Sequence, residues 1–209
     1  MHLFLFQPLL EMSEPVEQAV LAVSSMVHSY CKTNTDCAST TEVTDIITIL
    51  KNMLGGDCSA EHDKVLLALK ALGNTGRVET AVTPLTQCFQ NTDLPMSLRV
   101  AAVNAFRRAN CAAETESLRR LMEDTTADSE LRINAYLMLM QCPDYSLIQA
   151  VTSLLEQEQV NQVGSFIWTH LTNLLESKAP YKKYHKEINR IIEDAALGNR
   201  FDMDKRKFR

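Results

Sequence analysis

The sequence predicts an all-α protein, a two-layer superhelix of about ten antiparallel helices, and three observations predict it. Glycine and proline are scarce, six of each in 209 residues, about half their usual share. Apolar residues recur at three- and four-residue spacings along almost the whole chain, the period of an amphipathic helix. Helix starts also recur, near residues 59, 94, 129 and 160. That is a helical-hairpin period of about 31 to 35 residues, within the range of α-solenoids.

The elements follow in order. Ser13 and Pro15 signal the start of a helix carrying Val16, Val20, Val23, Val27 and Tyr30. After a polar segment between Cys31 and Cys37, Thr40 or Thr41 opens a helix with Val43, Ile46, Ile47, Leu50, Met53 and Leu54, and Gly55-Gly56 ends it. Ser59 is expected to cap a helix through Val65, Leu66, Leu69 and Leu72 that stops at Gly73-Asn-Thr-Gly76. Its partner carries Val78, Val82, Leu85, Cys88 and Phe89. Asp93 starts the next pair, with Met96, Val100, Val103 and Phe106 followed by Leu118, Leu121 and Met122. Asp128 caps Leu131, Ala135, Tyr136 and Leu139, whose partner carries Leu147, Val151, Leu154 and Leu155. A last pair runs from Val160, Val163, Ile167, Leu171 and Leu174 to Tyr184, Ile188, Ile191 and Ile192. The domain reading is an atypical segment 1–15, a helical domain 16–198 and a basic tail 199–209.

Composition narrows the function. Hydrophobic residues make up 45% and charged residues 22%, which suits a globular domain with a core. A net charge of −5 argues against a protein that coats nucleic acid. No apolar stretch is long enough to span a bilayer. The start, Met1 to Leu10, is apolar but has no basic region and no small-residue cleavage site. Residues 177–209 hold 10 of the 21 basic side chains and 5 of the 26 acidic ones. The bland reading of this basic end is a solvated face, and the sharper one is a docking surface for an acidic partner.

Catalysis would need a constellation, and none stands out. Histidines occur at 2, 28, 62, 170 and 185. His170 lies near Ser165 and Thr169 on one helix, but one helix alone does not build a nucleophile, base and orienter. The expectation is a structural histidine, no enzyme activity and no cofactor. Trp168 reads as packing. A zinc site using His28 lacks any Cys-x-x-Cys partner, so no metal is expected. Six cysteines, Cys31, Cys37, Cys58, Cys88, Cys111 and Cys142, favour an oxidising, secretory compartment. Sequence order suggests neighbours as partners, although order alone does not fix connectivity. No Asn-x-Ser/Thr sequon adds to that inference.

Two segments then carry a resemblance. Glu130-Leu-Arg-Ile-Asn-Ala-Tyr-Leu-Met-Leu-Met-Gln-Cys-Pro-Asp144 and Glu158 to Glu176 resemble the helical domain of the large lipid transfer proteins, and most of all its arthropod apolipophorin form. Three further patches agree in the same order: Leu69-Lys-Ala-Leu-Gly-Asn-Thr-Gly76, Leu98 to Arg108, and Phe201 to Phe208. The resemblance runs from about residue 16 to the end. It implies a two-layer arch wrapped around lipid-binding β-sheets of the same parent chain, in a secreted carrier of lipid. It also implies that Cys31/Cys37 and Cys58/Cys88 are disulfides, with Cys111/Cys142 as a third pair. The family's preceding β-barrel and following sheets have no counterpart here, so the chain reads as part of a longer one. Lipids are therefore expected as partners only through that parent, and the isolated piece is expected to self-associate. The competing class is a cytosolic adaptor solenoid that binds a protein on its concave face.

Overall fold

The structure, a computed structural model, describes residues 16–111 and 115–176 together with 188 and 190. Nine α-helices are formed by residues 16–176: α1 (Glu17–Thr33), α2 (Thr41–Met53), α3 (His62–Thr75), α4 (Val82–Gln90), α5 (Met96–Asn104), α6 (Glu116–Glu123), α7 (Ser129–Leu139), α8 (Tyr145–Gln157) and α9 (Asn161–Glu176). Short 3-10 turns follow α1 and α5, at Cys37–Ser39 and Ala105–Arg108. The described residues contain no strand, and the all-α class holds. Ile188 and Arg190 are helical, and Ile188 is buried. The rest of the expected last helix lies outside the described residues, as do the Ser13–Pro15 start signal, Met1 to Leu10 and the tail 199–209.

The chain forms two compact units, Met1–Glu114 and Thr115–Arg209. In the first, α3 is the central helix. It packs on α1, α2, α5 and the Ala105–Arg108 turn, and its residues are buried almost all round: Val65, Ala68, Leu69, Ala71 and Leu72 are wholly inaccessible. Full exposure is confined to the first turn, with Asp63, and to Lys70, as suits a helix with neighbours on most sides. The neighbours are one-sided by contrast. Helix α1 turns Val20, Val23 and Val27 inward, and α2 turns Val43, Ile46, Ile47, Leu50 and Met53. Helices α1, α3 and α5 thus lie side by side, with α2 and α4 packed behind α3 and α5.

In the second unit α7 packs on α6 and α9, and α9 on α8. Helix α6 buries Leu118 and Met122 in this packing, and α7 buries Leu131, Ala135 and Tyr136, all of them inaccessible to solvent. The link between these helices is tight. Thr126 donates from its hydroxyl (2.6 Å) and its amide (2.9 Å) to Asp124 Oδ1, and those bonds hold the Asp124 carboxyl below its ordinary range. Asp128 then caps α7 as expected, its Oδ1 accepting from the Glu130 amide at 2.8 Å. Asp144 caps α8 in the same way, through the Leu147 amide at 2.7 Å.

Several local expectations are corrected. Ser59 does not cap α3: the helix begins at His62, and its N-cap, Glu61, makes no side-chain capping bond. Asp93 does not open α5, which starts at Met96 behind Pro95. Gly73 lies inside α3, and Gly76 alone ends it, at φ 67°. The pairing of helices is also shifted by one. The close hairpins are α4 with α5 and α6 with α7, whereas α3 packs chiefly on α1, α2 and α5. Val78 and Ala81, in the link between α3 and α4, are themselves drawn into the core. On the other side Arg99 of α5 donates from Nε to the Phe89 carbonyl near the end of α4, at 3.0 Å.

Truncating the centre of α3 is expected to be costly. Leu72→Ala should lower the urea unfolding free energy by about 2–5 kcal/mol, whereas Tyr145→Ala, at a position 52% exposed, should change it by about 0.5 kcal/mol or less.

Candidate functional site

The six cysteines predicted as site residues are all placed. Cys31 lies in the last turns of α1 and Cys37 opens the 3-10 turn, and the two are bonded with their Cα atoms 5.2 Å apart. Cys58, between α2 and α3, is bonded to Cys88 of α4, with Cα atoms 5.5 Å apart. Both separations are usual for a disulfide. Cys58 sits at φ 62°, a left-handed conformation uncommon outside glycine. None of the six, Cys111 and Cys142 included, is a free thiol.

Among the described residues the histidines form no cluster with one another. His170 shares a 2.7 Å hydrogen bond, through Nδ1, with the hydroxyl of Tyr136. Burial pushes the Tyr136 phenol far above its ordinary range, so it stays protonated. The Tyr136 ring meets His170 and Phe166 edge-on, at 5.4 and 6.5 Å between centroids, and His170 stacks on Phe166. Ser165 turns back to the Gln162 carbonyl instead of toward His170. Trp168 is half-buried, and its carbonyl accepts from Thr172. His62 is exposed at the start of α3, and His2 and His185 lie outside the described residues. Among the described residues no group of His, Cys, Asp and Glu has the arrangement of a metal site.

Two arginine clusters organise the units instead, and sequence reasoning missed both. Arg132, on α7, is wholly buried. Its Nε donates to the Met122 carbonyl at 3.1 Å, near the end of α6. Its two Nη groups face the carboxylate of Glu158, Nη1 at 3.3 Å from Oε1 and Nη2 against Oε2. Glu158 Oε1 also accepts from the Val160 amide at 2.8 Å. One guanidinium therefore joins α7 to the end of α6 and to the link between α8 and α9. A cleft of about 270 Å³ opens beside it, lined by Thr125, Ser153, Leu154 and Gln157 among others. The signal was present: Arg132 falls four before Tyr136 and seven before Leu139, on the buried stripe of α7.

The second cluster joins two of the patches that carry the family resemblance. Arg107 donates from Nη2 to the Lys70 carbonyl and to Asn74 Oδ1, each at 2.7 Å, and from Nη1 to the Asn104 carbonyl at 3.0 Å. Arg108 donates from Nη1 to the Asn74 carbonyl at 3.1 Å. Of these acceptors the Asn74 carbonyl lies in the last turn of α3, where intrahelical partners run out. A Cβ at Gly73 would stand where the Arg107 guanidinium lies, so any other residue there displaces that side chain from its bonds. Gly76 is required twice over: its φ is left-handed, and a Cβ would lie 2.7 Å from the Arg108 carbonyl and 2.9 Å from His28 Nδ1. Burial, aided by the charges of Arg108 and Lys32, pushes the His28 imidazole below its ordinary pKa.

Two outcomes are expected. Arg132→Met and Glu158→Gln should each cost about 3–5 kcal/mol in chemical denaturation, because each strands a buried partner. Removing both with Arg132→Met/Glu158→Leu should cost less than the two single losses together. Gly76→Ala should destabilise by more than about 1 kcal/mol, since alanine fits neither the torsion nor the space, and thermal melting reads that loss directly.

Comparison with known proteins places this arrangement. Residues 3–172 match the Vitellogenin TPR domain family. The chain is 33% identical to a vitellogenin of Penaeus merguiensis over 96% of its own length and 8% of the relative's. It is 31% identical to the apolipophorins of Locusta migratoria over 86% of its length and 5% of theirs. Against human apolipoprotein B-100 it is 29% identical over 90% of its length and 4% of that protein's. The chain thus spans less than a tenth of the length of these relatives. A solved lipovitellin structure, from work on lipid–protein interactions in lipovitellin, shares its fold with a TM-score of 0.75 and 22% identity, over 94% of this chain and 21% of that one. With matching sequence over most of its length, and the same helical fold, this chain belongs to the Vitellogenin TPR domain family.

Proposed function

We propose that the chain is the helical module of a secreted lipid carrier, where it buttresses a lipid-binding cavity built by β-sheets of a longer parent. The observation that carries this reading is membership of the vitellogenin family over residues 3–172. The lipovitellin neighbour, studied for its interactions with lipid, supports it. So does the packing of the described residues. Their apolar stripes are spent on one another, and the cleft beside Arg132 has both glutamates and hydroxyls in its wall, poor lining for an acyl chain. The role is mechanical. A stack of helices held by arginine clamps resists bending, and a stiff frame keeps water away from the rim of an apolar cavity. The absence of free thiols supports an extracellular location, where disulfides persist. The native pairs are proposed to be Cys31–Cys37, Cys58–Cys88 and Cys111–Cys142, each contributing about 2–4 kcal/mol.

Peptide mapping of the native protein without reduction should recover these three pairs and no free thiol. A chain recovered with its thiols reduced would favour the cytosolic adaptor. Antibody raised against the chain should recover it from extracellular fluid together with phospholipid and neutral lipid. The purified chain alone should fail to float with a phospholipid–triglyceride emulsion. Saturable flotation of the isolated chain as a monomer would show that the helices hold lipid themselves.

A further inference from the structure

We propose that Ser59 is a phosphorylation site for an acidophilic protein kinase of the secretory pathway that reads glutamate two residues beyond the serine. Of all the serines in the chain, only Ser59 has glutamate at that position, in Asp57-Cys-Ser-Ala-Glu61. The structure presents the segment. Residues 55–61 form no helix or strand, and Asp57, Ser59 and Glu61 are all exposed. Space is open around Gly56, where an added Cβ would meet nothing within 4 Å. Cys58 between them is buried and bonded to Cys88, so the loop is pinned at one point and stands free on either side. The Ser59 hydroxyl does not serve as the helix cap, because α3 takes Glu61 as its N-cap.

The chemistry is a simple transfer. The Ser59 Oγ attacks the γ-phosphorus of Mg-ATP, the bond from that phosphorus to the bridging oxygen breaks, ADP leaves, and the hydroxyl proton passes to the kinase's base. The product suits its place. A phosphate three residues before His62 lies ahead of the first amides of α3, which have no side-chain cap, and anions are favoured at that end of a helix. Lys64 adds a positive charge in the first turn, while Asp57, Glu61 and Asp63 oppose it. The sequence around the serine thus favours recognition by the kinase more than retention of the phosphate by the fold. The phosphoserine therefore stays exposed, a mark readable by a partner.

The proposal rests on the secretory reading only for where kinase and chain would meet. The test uses the purified, oxidised chain, a secretory-pathway kinase of Ser-x-Glu specificity and labelled ATP. Wild type should take up label on the peptide holding Ser59, Ser59→Ala should lose it, and Glu61→Gln should slow uptake about tenfold. Both substitutions are at exposed positions, and unchanged circular dichroism shows that the fold is intact. Equal labelling of Glu61→Gln, or none at Ser59 in wild type, overturns the proposal. In the second arm the chain is expressed with its own parent in cells, and the medium is analysed by mass spectrometry. Secreted chain with phosphate on Ser59 supports both readings, and secreted chain with unmodified Ser59 overturns the site. Chain retained in the cytosol, yet labelled at Ser59 in vitro, defeats the secretory reading and leaves the site standing.

Discussion

A guanidinium sealed away from water must find its hydrogen bonds inside the protein, and for Arg132 those bonds come from three places in the second unit. The Met122 carbonyl, the Glu158 carboxylate and, through that carboxylate, the Val160 amide are all positioned by a single side chain. Hydrophobic burial brings α6, α7, α8 and α9 together, but apolar surfaces tolerate sliding. A buried ion pair with satisfied hydrogen bonds does not, because any slip leaves a charge without a partner. Its net contribution to stability is small compared with its contribution to register. The edge-on packing of Tyr136 with His170 and Phe166 adds a second fixed point between α7 and α9, one turn along.

The first unit solves the same problem with neutral acceptors. Arg107 and Arg108 bond to carbonyls and to the Asn74 amide near the C-terminal end of α3, where the helix dipole already favours positive charge. No carboxylate is needed there. What is needed is space, and Gly73 and Gly76 supply it. The two units therefore differ in how they hold an arginine. One neutralises it inside the core, and the other lays it across a helix end at the surface.

Much of this fold was legible in the residues. The stripes of α1 and α2, the Asp128 cap and the helix starts near 94, 129 and 160 all follow from local spacing, and local spacing is what a sequence displays directly. The errors share one cause. Gly73 looked like a terminator because glycine usually ends helices, but its meaning depends on Arg107, 34 residues away. The hairpins were shifted by one because a repeat fixes the period and leaves the choice of neighbour to packing. Arg132 lies on the buried stripe of α7, but nothing near it in sequence announces Glu158. The cysteines were legible as a set, and the resemblance supplied a pairing that their order alone left open.

The bond between Cys58 and Cys88 encloses the whole of α3, the helix around which the first unit is built. Tension applied along the chain is carried across that bond and bypasses the helix inside the loop. The enclosed 30-residue span would extend to about 100 Å if released, and while the bond stands that length is withheld from stretching. The central helix of the first unit is thus shielded from pulling by covalent chemistry, whatever happens to the packing on either side.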